Sequence, residues 1–471
     1  MEENEFMEPS DSDLMELISQ YEDAQKSKRS IFLEEESYDQ IIQFYHDNRE
    51  YNKALKVADA ALGQYPFSAF FYTKKAEILA NQRSFDEALV LLDEAERLDP
   101  NDINIFLIRS DVFLWQGRHE DAMEVVAHAM SIATELEDRC ELHLETADIW
   151  EDQEKYSEVI NSLKNALRED PMNEEALTRL WFCTELTETH EDSIQFHEML
   201  IERSPYSYLA WFNLGHAYAG LDRYDEAIDA FSYTIAIQEE YDQAYISTGD
   251  VLFVTEKYNE ALKYYQDAIK LSKPNKELYL KVAAAYEQLS EYAKSRSYLR
   301  KAIGVDPYYD EAFYRIGETY RLEENIPKAI HSYERAVKLN RENTEYLLTL
   351  AEAYLNVQDT ESALEIFERI FQLDPSAKQN WINLATAYFN VNDYRKTFQV
   401  LTEAEMKYEG SADIFYIKSV FYNRAGNRHE ALLSLERGLL ADFEQHSLVF
   451  EMDDTLLDDA AFLQVIEQYR S

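Results

Sequence analysis

The chain has 471 residues and sets 45 Lys and Arg against 92 Asp and Glu, a formal net charge of −47. Such a chain repels nucleic acid and anionic membrane surfaces and attracts basic or positively patched partners. With 10 Gly, 9 Pro and 2 Cys, it excludes long flexible linkers and a disulfide framework, and no apolar run approaches membrane-spanning length.

Residues 1–11 are acidic, contain Pro9 and lack the apolar core of a secretory signal, so they are expected to be mobile. From Ser12 a helix is predicted, because Leu14, Leu17, Ile18 and Tyr21 share one face. Its expected role is to cover the first structural unit. A tail folding back into an inner groove is the alternative.

From Glu35 an internal repeat takes over. Its clearest copy is 208–241, where Trp211, Leu214, Gly215 and Tyr218 recur at i, i+3, i+4 and i+7 of one helix and Ala227 and Phe231 mark a second. Units begin at Glu35, Ala69, Ile103, Cys140, Glu174, Tyr208, Asp242, Lys276, Asp310, Thr344, Lys378 and Ala412, twelve in all over 35–445. The eighth place is Gly, Ala or Ser in ten of the twelve, from Ala76 to Ser419. Small residues there let two helix backbones approach. Ala fills the twentieth place in eight units and Tyr the eleventh in seven. Pro66, Pro100, Pro171, Pro205, Pro307 and Pro375 share one place, where proline stops the second helix.

This W-x2-L-G-x2-Y…A…F pattern resembles the tetratricopeptide repeat, a helix–turn–helix unit of 34 residues. The resemblance covers most of the chain. It implies an all-α, right-handed superhelical α-solenoid with terminal capping helices, whose first helices line a concave inner groove.

Three segments depart from the register. Three extra residues near Glu135–Arg139 are expected to lengthen a helix or a turn. In the unit 174–207, Trp181 takes the small-residue place and Thr184 the aromatic one. A compensated repacking is expected there, with a hinge as the alternative, Trp181 and Phe182 then serving as a binding anchor. Residues 446–471 keep an apolar pattern, including Leu448, Phe450, Leu456, Phe462 and Ile466, that suits helices covering the last unit. The clustered Asp453, Asp454, Asp458 and Asp459 read as a solvated acidic face, since no EF-hand order of ligands is present.

No phosphate loop, HExxH, Gly-x-Ser-x-Gly or paired CxxC occurs, so no catalytic residue, metal site or cofactor is predicted. His190 and His197 are seven residues apart beside Glu191 and Glu198, but His190 stands where other units have Tyr and reads as a packing residue.

The expected inner face centres on the ninth place, which is acidic in six units: Glu77, Asp111, Asp148, Asp250, Glu318 and Glu352. Phe182 shares that place, while Phe212 and Tyr314 stand at the fifth. Asn213 and Asn383 precede Leu in Trp-x-Asn-Leu, and in similar repeats an Asn there bonds a bound peptide's backbone. Lys281 and Arg315 lack the Asn that a carboxylate clamp needs; Glu311 and Glu318 are expected to neutralise them.

The sequence therefore predicts a cytoplasmic, non-enzymatic scaffold. Its acidic groove would bind a basic or amphipathic segment of another protein. A self-assembling homo-oligomeric solenoid using 446–471 is the second reading, and an enzyme or metal protein built on His190 and His197 the third.

Overall fold

The computed structural model describes residues 11–27, 29 and 31–470 and divides the chain into two compact bodies, Met1–Val251 and Leu252–Ser471. The expected mobile stretch 1–11 lies, except for Asp11, outside the described residues. Among the described residues there are 27 α-helices, two short 3-10 segments and no strand.

The helices alternate in length, with Glu174–Thr187, at 14 residues, one longer than most first helices. Second helices, such as Tyr51–Gln64, Tyr224–Ile237 and Arg428–Ala441, have 14 residues each. First helices, such as Ala69–Asn81, Ile103–Trp115 and Tyr208–Gly220, have 13. Leu136–Glu151 has 16, so the three extra residues extend that first helix at its start.

The turn inside each repeat is set by the backbone. The fifteenth residue of all twelve repeats is left-handed, with φ between 54° and 80°. Only Gly117 and Gly426 are glycines there; the other ten run from Arg49 to Asn392. The next residue's N–H bonds the carbonyl five residues back, as in Arg223 to Tyr218 and Asn325 to Tyr320, both within 2.9 Å. This is the Schellman closure, which satisfies the last carbonyls of one helix while aiming the next.

Small residues close the helix pair. A Cβ on Gly215 would stand 2.5 Å from the Phe231 ring, and a Cβ on Gly317 would overlap Tyr333. Trp211 Nε1 donates to Pro205 O at 2.9 Å, and Trp381 Nε1 to Pro375 O at 3.0 Å, fixing a first helix to the proline turn before it.

Both ends are covered. In the N-terminal body, helix Asp11–Lys26 buries Ile18 and Tyr21 on the first repeat, Tyr21 meeting Tyr38 edge to face. In the C-terminal body, Val449, Leu456, Phe462 and Ile466 join one core with Tyr416, Leu435 and Leu439 of the last repeat. Burying these side chains removes the apolar face an end repeat would otherwise show to water.

Candidate functional site

In the N-terminal body the first helices touch one another directly: Ala69–Asn81 with Ile103–Trp115, that helix with Leu136–Glu151, and Glu174–Thr187 with Tyr208–Gly220. The sixth place of one repeat therefore meets the preceding first helix. Arg179 bonds Asp148 at 2.6 Å and Glu151 at 2.7 Å, both from the preceding repeat. Lys74 stands 3.9 Å from Asp39 of the preceding repeat and 3.7 Å from Glu77 of its own. Ser247 Oγ and His216 Nε2 share a hydrogen bond of 3.1 Å in the same register.

Asp111 and Glu145 occupy the ninth and sixth places of consecutive repeats, so carboxylate meets carboxylate. Burial, then Asp148 and Glu77, push Asp111 up to about 6. Burial, then Asp111, push Glu145 up to about 7. Asp148 is raised by burial, although Arg179 opposes the rise. Glu77, Asp111 and Asp148 are half-buried. Asp250, also half-buried, belongs to the helix Asp242–Val254 of the seventh repeat. Sequence reasoning followed the ninth place and missed Glu145, Arg179 and Lys74. The signal was partial, because the sixth place is a cation in four of the twelve repeats, Lys74, Arg179, Lys281 and Arg315, and acidic only at Glu145.

In the C-terminal body Arg315 bonds Glu287 at 2.5 Å, not the Glu311 or Glu318 expected from the sequence. Glu287 reaches Arg315 from the preceding repeat's first helix, Lys276–Gln288, while Glu318 is taken by Arg321 at 2.7 Å and by the Tyr333 hydroxyl. Tyr314 stacks on Tyr346 with ring centres 4.5 Å apart. Both tyrosines, Arg315, Glu287 and Glu318 line a cavity of 550 Å³ with Glu311 and Glu345. Glu352 is exposed. Asn383 Oδ1 accepts from Gln379 Nε2 at 2.8 Å, within its own helix.

Several expected site residues have structural roles instead. Asn213 is buried and donates to Leu177 O at 2.8 Å, so no peptide backbone reaches it. Phe212 is also buried, between Trp181, Phe231 and Tyr241. Both belong to a first helix pressed onto its predecessor, where the fifth and sixth places are covered. Phe182 is 58% exposed and keeps a surface position. Trp181 turns its ring onto Phe212 and His216, with centroids 5.7 and 5.0 Å away, and Thr184 is buried beside it.

His197 is enclosed, its Nδ1 2.8 Å from Ser193 O, and burial pushes it down to about 4. His190 fills the space against Gly220, whose missing Cβ would fall 2.6 Å from the imidazole. Among the described residues no His, Cys, Asp and Glu group has metal-site geometry. Asp453 pairs with Arg424 at 3.0 Å, and Asp459 with Arg428 while capping helix Ala460–Gln468. No helix of the described residues is long and apolar enough to cross a membrane.

The repeated pairs define an all-α repeat protein of the scaffold class. The family description Tetratricopeptide repeat matches residues 45–103, 208–232 and 246–310, and Anaphase-promoting complex, cyclosome, subunit 3 matches 322–404. The chain is a tetratricopeptide-repeat protein. A human relative, Protein O-mannosyl-transferase TMTC1, is 24% identical over 169 residues. That match covers 35% of this chain and 18% of the relative's length. Among solved structures the chain is similar to YrrB, described as a TPR protein with an unusual peptide-binding site. The identity is 17%, the TM-score 0.33, and the coverage 39% of this chain and 95% of YrrB. It is also similar to the APC/C hetero-tetramer Cut9-Hcn1, at 13% identity and TM-score 0.32 over 98% of this chain and 97% of that one.

Proposed function

We propose that the chain is a cytoplasmic, non-enzymatic scaffold that holds a basic or amphipathic segment of another protein against its acidic first-helix face. The observation that carries this reading is the strip Glu77–Asp111–Glu145–Asp148, four carboxylates from three consecutive repeats. Burial, with Glu77 and Asp148 beside Asp111 and with Asp111 and Asp148 beside Glu145, raises the proton affinity of Asp111 and Glu145, as a place of negative potential does, and a basic segment relieves it. The repeat family supports protein binding in general; the acidic strip supports the choice of a basic partner. Rim contacts of this kind weaken with salt.

Affinity capture from the native cell at low salt tests this reading, with wild type run beside a Glu77→Gln, Asp111→Asn, Asp148→Asn variant. Partners with basic segments should bind the wild type and be lost from the variant. Equal capture by both would place the contact elsewhere. The exposed Phe182 surface would then be the next candidate.

A further inference from the structure

The step between the third and fourth repeats reverses a pairing found at other steps of the chain. Sixth-place side chains at Lys74, Arg179 and Arg315 are cations, and each reaches a carboxylate of the preceding repeat. In that place the fourth repeat has Glu145, facing Asp111. Glu145 is only 7% exposed, and its Oε1 completes no hydrogen bond. The Ser110 hydroxyl behind it is fully buried and set toward the carboxyl, whose proton affinity it lowers, yet the two do not close into a hydrogen bond of full geometry. The nearby cations are committed elsewhere: Lys74 to Asp39 and Glu77, and Arg179 to Asp148, Glu151 and Glu175. Buried polar atoms without partners are rare in folded proteins and call for an explanation.

We propose that a guanidinium or ammonium group from the partner's basic segment seats between Asp111 and Glu145, in the position that Arg179 fills one repeat later. This rests on the basic-segment reading above and adds where the cation goes and what it displaces. Asp111, Glu77 and Asp148 are half-buried and so reachable from solvent, while Glu145 and Ser110 form the floor. The groups facing Glu145 are Ser110 and Asp111 from helix Ile103–Trp115, Asp148 from its own helix and Arg179 from helix Glu174–Thr187; Glu77, from helix Ala69–Asn81, acts through Asp111. With Glu145 raised to about 7 and Asp111 to about 6, the two carboxyl groups hold part of a proton near neutrality. A seated cation favours both ionised carboxylates, so binding releases that proton to solvent.

The probe is acetyl-hexaarginine amide, titrated calorimetrically at pH 6.5 in two buffers of different ionisation enthalpy, with the full chain. Wild type should bind and release a proton. Glu145→Arg should weaken binding tenfold or more, because it supplies the missing cation from within. Asp111→Asn, which keeps the shape, should show reduced binding and reduced proton release. If both variants bind the peptide as wild type does and release the same proton, the seat is overturned while the basic-segment reading survives. If wild type itself fails to bind at low salt, both fall.

Discussion

Gly215 and Phe231 are packed so closely that a single methyl group does not fit between them. A Cβ on Gly215 would lie 2.5 Å from Phe231 Cε1, and Phe231 is fully buried. The helix pair of the sixth repeat thus depends on the absence of a side chain. Gly215→Ala gains roughly 1 kcal/mol of helix propensity, but forces a buried ring to move at a cost of about 1–3 kcal/mol or more. The expected outcome is net destabilisation in urea unfolding. Gly63→Ala is the control: it is helical with nothing within 4 Å of its Cβ, and should stabilise the chain.

The left-handed turns predict the opposite response to glycine. Glu256 adopts φ 60° at the fifteenth place of the seventh repeat. A side chain there costs roughly 1–2 kcal/mol relative to right-handed backbone, a strain glycine does not have. Glu256→Gly should therefore raise stability slightly, by ~0.5–1 kcal/mol after its greater unfolded-state entropy is counted. The urea midpoint should rise with an unchanged slope.

Asn213 separates a structural role from a binding one. Its amide donates to Leu177 O at 2.8 Å and lies 3.3 Å from His197 Nε2, buried from solvent. Asn213→Ala leaves that carbonyl without its donor and should cost about 1–3 kcal/mol. Affinity for a basic peptide, measured well below the melting temperature, should not change.

Glu145 makes stability depend on pH in a direction that can be signed. Its pKa in the folded chain is about 7, above the ordinary carboxylate range, so the folded state holds the proton more tightly than the unfolded one. The stabilisation is fully present below the unfolded value and is lost as pH rises through about 7. Asp111, at about 6, acts in the same sense over a lower window. His197, at about 4, acts oppositely: its contribution is present above the ordinary histidine range and lost as pH falls. Glu145→Gln should match wild type near pH 4.5 and exceed it at pH 8, by on the order of 1–3 kcal/mol. Parallel pH profiles for the two proteins would contradict this.

The fold was legible because its determinants repeat. Small residues at the eighth place, Ala at the twentieth and the shared Pro report helix contacts and helix ends that recur every 34 residues. The turn conformation was not legible in this way. Arg, Glu, Asp, Ser, Gln and Asn fill the left-handed position in ten repeats, so no glycine marks it. The site was legible only in part. The ninth-place carboxylates could be listed from register, but whether each is answered by a cation depends on the neighbouring repeat. Asp148 is answered by Arg179 of the next repeat, whereas Glu318 is answered by Arg321 of its own helix. Asn213 and Phe212 were misassigned because their places are covered by the preceding first helix. Trp181 fits its place by turning onto Phe212 and His216, a direction no register reveals.

The central claim is that a basic segment lies on the first-helix face of the N-terminal body. Hydrogen–deuterium exchange of the full chain with and without acetyl-hexaarginine amide at low salt tests it most directly. Protection concentrated in Ile103–Trp115 and Leu136–Glu151, and abolished by Glu77→Gln, Asp111→Asn, Asp148→Asn, is the predicted result. Protection confined to second helices such as His119–Ile132 and Tyr156–Glu169, or to the terminal helix Ala460–Gln468, would contradict it.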